Sequence, residues 1–184
     1  MSKPSQVIVV LEDDHHKMLV YRYLIKRGLE SNVLRIERSP SGEGSAESWV
    51  RKTFVREVNA YRSRSRHTQT ALIVVIDADT GTVHDRLRQL DQALKDSRKE
   101  TVDTDTEQIA RLVPKRNIET WILCLNEQAV DEETDYKKTR NDWNELIPPA
   151  AEGLFQWTRS NDEPPKHCVD SLRSGVRELK RLVF

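Results

Sequence analysis

Two short runs of apolar, mostly β-branched residues, each ending abruptly in carboxylates, constrain the fold more than any other feature of the sequence. The first is "VIVVLEDDHH", from Val7 to His16, and the second is "ALIVVIDAD", from Ala71 to Asp79. Runs of this kind, bounded by polar residues, are typical of strands buried on both faces of a parallel sheet. If the two strands are neighbours, their acidic ends meet at the carboxyl edge of that sheet.

Helical and strand patterns alternate along the first two thirds of the chain. We predict strands at 7–11, 32–38, 71–76 and 109–114, and helices at 15–28, 43–64, 82–95 and 118–125. Gly28 is placed to end the first helix, and Asn117 to cap the last one. This order predicts an α/β fold in which a parallel sheet of about four strands carries helices on both faces.

The chain after residue 126 follows a different pattern. We predict a catalytic α/β domain over 6–126 and a mostly helical extension over 127–184 that packs on it. The stretches "IPPAAEG" and "NDEPPKH" are predicted to be loops because of their prolines. An amphipathic helix is predicted at 169–182.

Composition excludes several classes of protein. The 184 residues carry 30 basic and 30 acidic side chains, so no global field attracts nucleic acid, and any such binding must use local patches. No apolar run reaches the length of a membrane span, and "MSKPSQ" offers no signal-peptide core. The two cysteines lack metal-ligand spacing, which favours reduced thiols and a cytoplasmic protein.

The carboxylates at the two strand ends indicate a metal site. Glu12 follows the first strand, and Asp77 and Asp79 follow the third. Three such charges repel one another unless a cation lies between them, and oxygen ligands of this kind suit Mg²⁺ or Mn²⁺. A metal held in this way typically serves phosphoryl chemistry. The alternative is that these acids are turn formers or helix caps.

These residues resemble a known family. A Glu ending the first strand, with D-x-D ending the third, looks like the Toprim domain of topoisomerases, primases and OLD-type (overcoming lysogenization defect) nucleases. "VPKRNIETWIL" is similar to the fourth-strand-to-helix segment, with its I-E-x-W signature, of small Toprim-like proteins near bacterial defence genes. The resemblance covers residues 6–126. It implies that Glu12 is an acid/base or metal-coupled residue, that Asp77 and Asp79 are metal ligands, and that Glu119 is a further ligand.

The sequence departs from the Toprim pattern at two positions. Asp13 stands where family members usually have Gly, and His16 stands where OLD-type nucleases often have a second Glu. Asp13 is either an additional metal ligand or a helix cap, and His16 is a ligand, a proton relay or a solvated side chain. Glu119 is likewise explained either as a ligand or by the dipole of the helix that it begins.

Cations in two places are candidates for phosphate contact. Lys115 and Arg116 follow the fourth strand, where a cation can hold a scissile phosphate, although a plain surface pair is the alternative. The basic run "VRKTFVREVNAYRSRSRH" includes Lys52, Arg56 and Arg62, and either contacts a nucleic-acid backbone or is a solvated helix face. The acidic run "EQAVDEETD" disfavours nucleic acid and suits a basic partner protein.

The hypothesis that follows is a Mg²⁺- or Mn²⁺-dependent Toprim nuclease that cleaves DNA or RNA. No P-loop motif is present, so the resemblance implies a separately encoded ATPase partner in an anti-phage system, and an oligomer is possible. Two alternatives stay open. One is a receiver-like signalling domain with Asp77 as phospho-acceptor and Asp13 and Asp14 as Mg²⁺ ligands, and the other is a Toprim-like scaffold without catalysis.

Overall fold

The computed structural model describes residues 4–42, 44–159, 161 and 163–184, and it has α/β architecture. The strands are β1 (Gln6–Leu11), β2 (Leu34–Arg38), β3 (Thr70–Val75) and β4 (Ile109–Leu112). The helices are α1 (Asp14–Lys26), α2 (Ala46–Arg64), α3 (Val83–Asp96), α4 (Ile118–Leu125), α5 (Trp143–Arg159) and α6 (Asp170–Arg181). The predicted alternation of strands and helices is confirmed, and Gly28 follows α1 with a left-handed φ of 84°.

The four strands form one parallel sheet in the order β2-β1-β3-β4. The chain therefore moves outward in one direction from β1 to β2 and in the opposite direction from β3 to β4. Crevices in open α/β sheets form where the direction reverses, outside the carboxyl ends of the strands. That position lies between β1 and β3, whose last paired residues are Leu11 and Val75.

Alternate residues of the buried strands face two separate hydrophobic layers. Val9 and Ile73 face α1, α4, α5 and α6, whereas Ile8 and Leu72 face α2 and α3. Both faces of the central strands are thereby covered, which explains their continuous apolar runs. The predicted α/β class, the four parallel strands and the helices on both faces are confirmed.

Helix α5 corrects one prediction. The stretch "IPPAAEG", predicted to be a loop, lies inside α5, with Pro148 and Pro149 in the helix. Its buried side chains recur at helical spacing: Trp143, Ile147, Ala150, Ala151, Leu154 and Thr158. Packing of this face outweighs the cost of an interior proline, about 3 kcal/mol each. Asn126 Nδ2 also donates to the Leu146 carbonyl at 3.0 Å, which gives a polar partner to the helix near its prolines.

Helix α6, predicted over 169–182, covers the outer edge of the sheet. Arg111 N of β4 donates to Glu178 Oε2 at 3.0 Å, and Arg181 donates to the Ile109 carbonyl at 2.8 Å. These bonds satisfy backbone groups that an unpaired edge strand would expose. The helices of the extension share one hydrophobic cluster with α1 and α4. The domain boundary at residue 126 stays a prediction.

None of the helices in the described ranges is both long enough and apolar enough to cross a membrane.

Candidate active site

The two acidic strand ends meet at the reversal point of the sheet. Asp77 N donates to Glu12 Oε1 at 2.8 Å, so the segment after β3 is hydrogen-bonded to the side chain that follows β1. Asp77 is 4% exposed. The meeting of Glu12 and Asp77 at the carboxyl edge, expected from the sequence if β1 and β3 are neighbours, is present.

Glu12 has an unusual proton affinity. Its burial, and then the negative charge of Asp77, raise the pKa of Glu12 to about 7, although the positive charge of His16 and the hydrogen bond from Asp77 N oppose this shift. A carboxyl group with such a pKa exchanges protons near neutral pH, which is the property of a general acid or base.

His16 joins the two strand ends through its ring. Its Nδ1 lies 2.9 Å from Asp13 Oδ1 and its Nε2 lies 2.9 Å from Asp77 Oδ1, and the ring is fully buried. Carboxylates only accept hydrogen bonds, so both ring nitrogens carry protons and His16 is an imidazolium. Burial lowers the pKa of His16, but the charge of Asp77 and the bonds to both aspartates outweigh it and raise that pKa well above its usual value.

Asp13 combines two structural tasks. It is the N-cap of α1, where its Oδ1 accepts from His15 N at 3.1 Å and from His16 N at 3.2 Å. Its Oδ2 accepts from Lys137 Nζ at 2.8 Å. Burial raises the pKa of Asp13, but the hydrogen bonds and charges of His16 and Lys137 prevail and hold it well below its usual range. The cap is confirmed, and a ligand role for Asp13 stays a prediction.

A second histidine–carboxylate pair lies beside the first. His15 Nδ1 is 2.6 Å from Glu119 Oε1, and this bond raises the pKa of His15. Glu119, at the start of α4, is completely buried, and its Oε2 has no hydrogen-bond partner among the described residues. The ring of Trp143 lies 5.8 Å from that of His15, centroid to centroid, and its Nε1 is also buried without a partner in the described part of the chain.

Asp79 is turned away from the other two carboxylates. It adopts a φ of 54°, its side chain is 59% exposed, and its Oδ2 accepts from Arg86 at 3.2 Å. Arg86 also binds Glu47, which anchors the guanidinium on the α2 and α3 side of the sheet. The charge of Asp79 still contributes to the raised pKa of Glu12, so the two side chains remain electrostatically coupled.

The acidic run after α4 binds the cations that follow β4. Glu133 lies 3.1 Å from Lys115 Nζ, and Asp135 lies 3.7 Å from the Arg116 guanidinium. Asp135 also accepts from Asn117 Nδ2 at 2.7 Å. Asn117 is the N-cap residue of α4, as predicted, but its side chain does not bond to the backbone of the helix. Its Oδ1 accepts instead from Thr120 Oγ1 at 3.5 Å.

The basic residues of α2 differ in whether acidic side chains of the protein already bind them. Arg56 binds Glu37 at 2.6 Å and Glu57 at 3.0 Å. Arg62 makes a two-pronged contact with Glu107 and donates to two backbone carbonyls. Lys52 is exposed. The predicted nucleic-acid contact of this helix stays a prediction.

Three features of the site were not predicted from the sequence. The pairing of His15 with Glu119 and the contact of Lys137 with Asp13 join segments more than 100 residues apart. Arg86, which holds Asp79, lies within an ordinary amphipathic helix. The adjacent pair His15 and His16, in the first turn of the helix that Asp13 caps, was the one signal in the sequence, because it places two rings next to the end of the first strand.

The donor set fits a hard divalent cation in part. Carboxylates without thiols suit Mg²⁺ or Mn²⁺, and the unpartnered buried Oε2 of Glu119 is an oxygen that a cation or water would satisfy. Within the described ranges, however, no group of three or more His, Cys, Asp or Glu side chains is arranged to hold a metal ion. Glu12 and Asp77 are adjacent, and Asp79 would have to leave Arg86 to join them.

No protein-family model, curated protein or solved structure matches this chain. The resemblance to Toprim domains therefore stays a prediction that depends on short motifs. We base the function on the chemistry of the site.

Proposed function

We propose that the protein is a divalent-metal-dependent phosphodiester hydrolase of the Toprim type that acts on DNA or RNA. One observation carries the proposal. Glu12 and Asp77 meet at the reversal point of a parallel sheet, and the pKa of Glu12 is raised to about 7. Buried acids with shifted proton affinity in such a crevice are typical of catalytic sites.

Glu12, Asp77 and Asp79 would hold Mg²⁺ or Mn²⁺, and Glu119 and Asp13 are the nearest further carboxylates. A bound metal of this kind neutralises phosphate charge and favours ionisation of a bound water. In the metal-free protein, Glu12 holds or releases a proton close to neutral pH. His16 fixes the orientation of Asp77 through Nε2, and Asp13 fixes His16 through Nδ1.

Cations at the rim supply the contacts that a phosphate needs. The Lys137 side chain is half exposed while it binds Asp13. Lys115 and Arg116 follow β4 at the same edge of the sheet. Because the chain has no P-loop, the proposal includes a separate ATPase chain and a place in anti-phage defence.

A specific observation favours a second candidate, a Toprim-like scaffold without catalysis. The His16 imidazolium and the Lys137 ammonium together balance the charges of Asp13 and Asp77, and Asp79 is bound to Arg86. These contacts satisfy the charges without a metal. The receiver alternative is less well supported, because Asp77 is almost fully buried and hydrogen-bonded, which hinders attack on a phosphoryl donor.

Metal binding and cleavage distinguish the two candidates. We would titrate the parent protein, Asp77→Asn and the exposed control Asp96→Asn with Mn²⁺ by calorimetry, and incubate each with supercoiled plasmid and single-stranded RNA. The parent and Asp96→Asn should bind Mn²⁺ and cleave. Asp77→Asn, which replaces an anionic ligand by a neutral amide of similar shape, should lose at least about tenfold in affinity and all cleavage.

Two results would contradict the proposal, one at the level of the residue and the other at the level of the function. Equal cleavage by Asp77→Asn and the parent would remove Asp77 from the site. No Mn²⁺ binding by the parent, with or without nucleic acid, would favour the scaffold.

A further inference from the structure

The two cysteines of the chain lie against each other. Cys124 belongs to α4 and Cys168 precedes α6, so the whole of α5 separates them in sequence. Both are buried, with Cys124 0% and Cys168 5% exposed. Cys124 Sγ lies 3.6 Å from the carbonyl oxygen of His167, the residue before Cys168, and the two side chains are close enough to interact.

The segment that carries Cys168 is fixed in place by a neighbouring arginine. Arg173 of α6 donates to the carbonyls of Pro164 and Pro165 at 3.1 Å, and to that of Cys168 at 3.3 Å. On the other side, Cys124 is held within α4, which packs in the hydrophobic core. The fold thus brings two thiols close together from two anchored segments, and such closeness is a condition for forming a disulfide.

The thiol pair is also unequal in proton affinity. The hydrogen bond from Cys168 is the main cause that lowers the pKa of Cys124 to about 7, and the same contact raises the pKa of Cys168. Thiolate is the nucleophilic form of cysteine, so Cys124 is the sulfur suited to attack and Cys168 the sulfur suited to resolve the product.

We propose that Cys124 and Cys168 form a peroxide-reactive dithiol that closes to an intramolecular disulfide. This inference is independent of the proposed nuclease activity. The co-reactant is hydrogen peroxide or a small alkyl hydroperoxide, because a small uncharged oxidant is the kind least hindered by burial of the sulfurs.

The reaction takes two steps. The Cys124 thiolate attacks one oxygen of hydrogen peroxide, the O–O bond breaks, and hydroxide leaves, which yields a sulfenic acid on Cys124. The Cys168 sulfur then attacks the Cys124 sulfur to form the S–S bond, and the sulfenic oxygen leaves as water with the Cys168 proton. In sum, two thiols are oxidised to a disulfide, and one peroxide is reduced to two waters once the hydroxide takes up the proton that Cys124 released.

The disulfide would fasten the end of α4 to the start of α6. Trp121 of α4 already donates to Ser171 Oγ of α6 at 2.7 Å, so the bridge would reinforce an existing contact. A cross-link between segments distant in sequence restricts the unfolded chain, so the oxidised protein should melt at a higher temperature than the reduced one.

The test uses the full chain at neutral pH. Reduced protein is treated with equimolar hydrogen peroxide, quenched, unfolded, and assayed for free thiols and intact mass. We expect both thiols to disappear, the mass to fall by two hydrogen atoms, and the melting temperature to rise, with dithiothreitol reversing all three changes. Peptide mapping should find a single Cys124–Cys168 linkage.

Matched variants identify the role of each sulfur. Cys168→Ser should stop at the sulfenic acid, which dimedone traps on Cys124, whereas Cys124→Ser should leave Cys168 largely unreacted. Thiols that persist, a disulfide between two chains, or a gain of oxygen without an internal linkage would each overturn the proposal. If either variant fails to fold, the unmodified chain still decides whether the internal disulfide forms.

Discussion

At the scale of single residues, the two positions that depart from the predicted Toprim pattern contact each other. Asp13 and His16 occupy these positions, and their side chains are hydrogen-bonded at 2.9 Å. The aspartate accepts from the imidazolium, which in turn donates to Asp77. Each of the two side chains therefore depends on the other. The positive charge of His16 opposes the effect of burial, which raises the pKa of Asp77.

Glu12 makes the stability of the metal-free protein depend on pH. Its folded pKa of about 7 exceeds its ordinary value of 4.5, so the folded chain binds the proton more tightly than the unfolded chain. This stabilisation is complete below pH 4.5 and is lost as the pH rises through 7. The free energy of unfolding should therefore fall across this window, by on the order of 3 kcal/mol from Glu12.

Urea denaturation at a series of pH values checks this prediction, with Glu12→Gln as the comparison. The variant should lack the Glu12 contribution, although the raised pKa of His16 still removes stability as the pH rises above 6.5. An identical pH dependence in parent and variant would show that Glu12 titrates normally in the folded state.

At the scale of helices and strands, local sequence patterns were sufficient to predict an element where its burial pattern and its secondary-structure propensity agreed. The two apolar runs became β1 and β3, and the amphipathic stretches became helices within a few residues of the expected bounds. The sequence failed at α5, where the burial of one apolar face outweighs two prolines. The sequence also did not predict where the Asp79 side chain lies. Its left-handed backbone and the ion pair of its carboxylate with Arg86 depend on tertiary contacts.

The contact between α6 and α4 requires a glycine. A Cβ added at Gly175 would lie 2.4 Å from a ring carbon of the buried Trp121. Gly175→Ala should therefore destabilise the protein by about 1–3 kcal/mol, although alanine is the better helix former. Thermal and urea denaturation measure the change, and Ser174→Ala, on the exposed side of α6, is the control. A variant as stable as the control would show that Trp121 moves without cost.

Helix α2 offers a graded test of nucleic-acid contact. Lys52 is exposed, whereas Arg56 is bound to Glu37 and Glu57. Lys52→Glu should weaken binding and reduce the salt slope by about one, since each phosphate contact releases a counterion. Arg56→Glu should affect binding less, because its charge is already balanced within the protein. Binding titrations at several salt concentrations measure both slopes, and an unchanged slope for Lys52→Glu would identify α2 as a solvated surface.

At the scale of the whole molecule, the site is built from both parts of the chain. The α/β part supplies Glu12, Asp77 and Glu119, and the segment after α4 supplies Lys137 and the acids that bind Lys115 and Arg116. The chain has no net charge, and positive and negative side chains are also paired locally at this edge. Acidic side chains bind Lys115 and Arg116, the cations proposed to contact phosphate. The acidic run that was predicted to disfavour nucleic acid lies at the same edge as the proposed active site.

Removing the negative charges of Glu133 and Asp135 should strengthen nucleic-acid binding. In the double variant Glu133→Gln/Asp135→Asn, Lys115 and Arg116 lose their ion pairs, so both cations become available to phosphate. Stability should change by less than about 1 kcal/mol, because the Glu133 side chain is 80% exposed and surface pairs contribute little. The affinity should rise, and the salt slope should steepen by about one to two, since each additional phosphate that binds a cation releases one more counterion.

The control Glu127→Gln/Glu145→Gln changes the net charge equally at exposed positions of the same part of the chain, without an ion pair to either cation. A general charge effect would move both double variants alike, whereas release of Lys115 and Arg116 would steepen the slope only in the first.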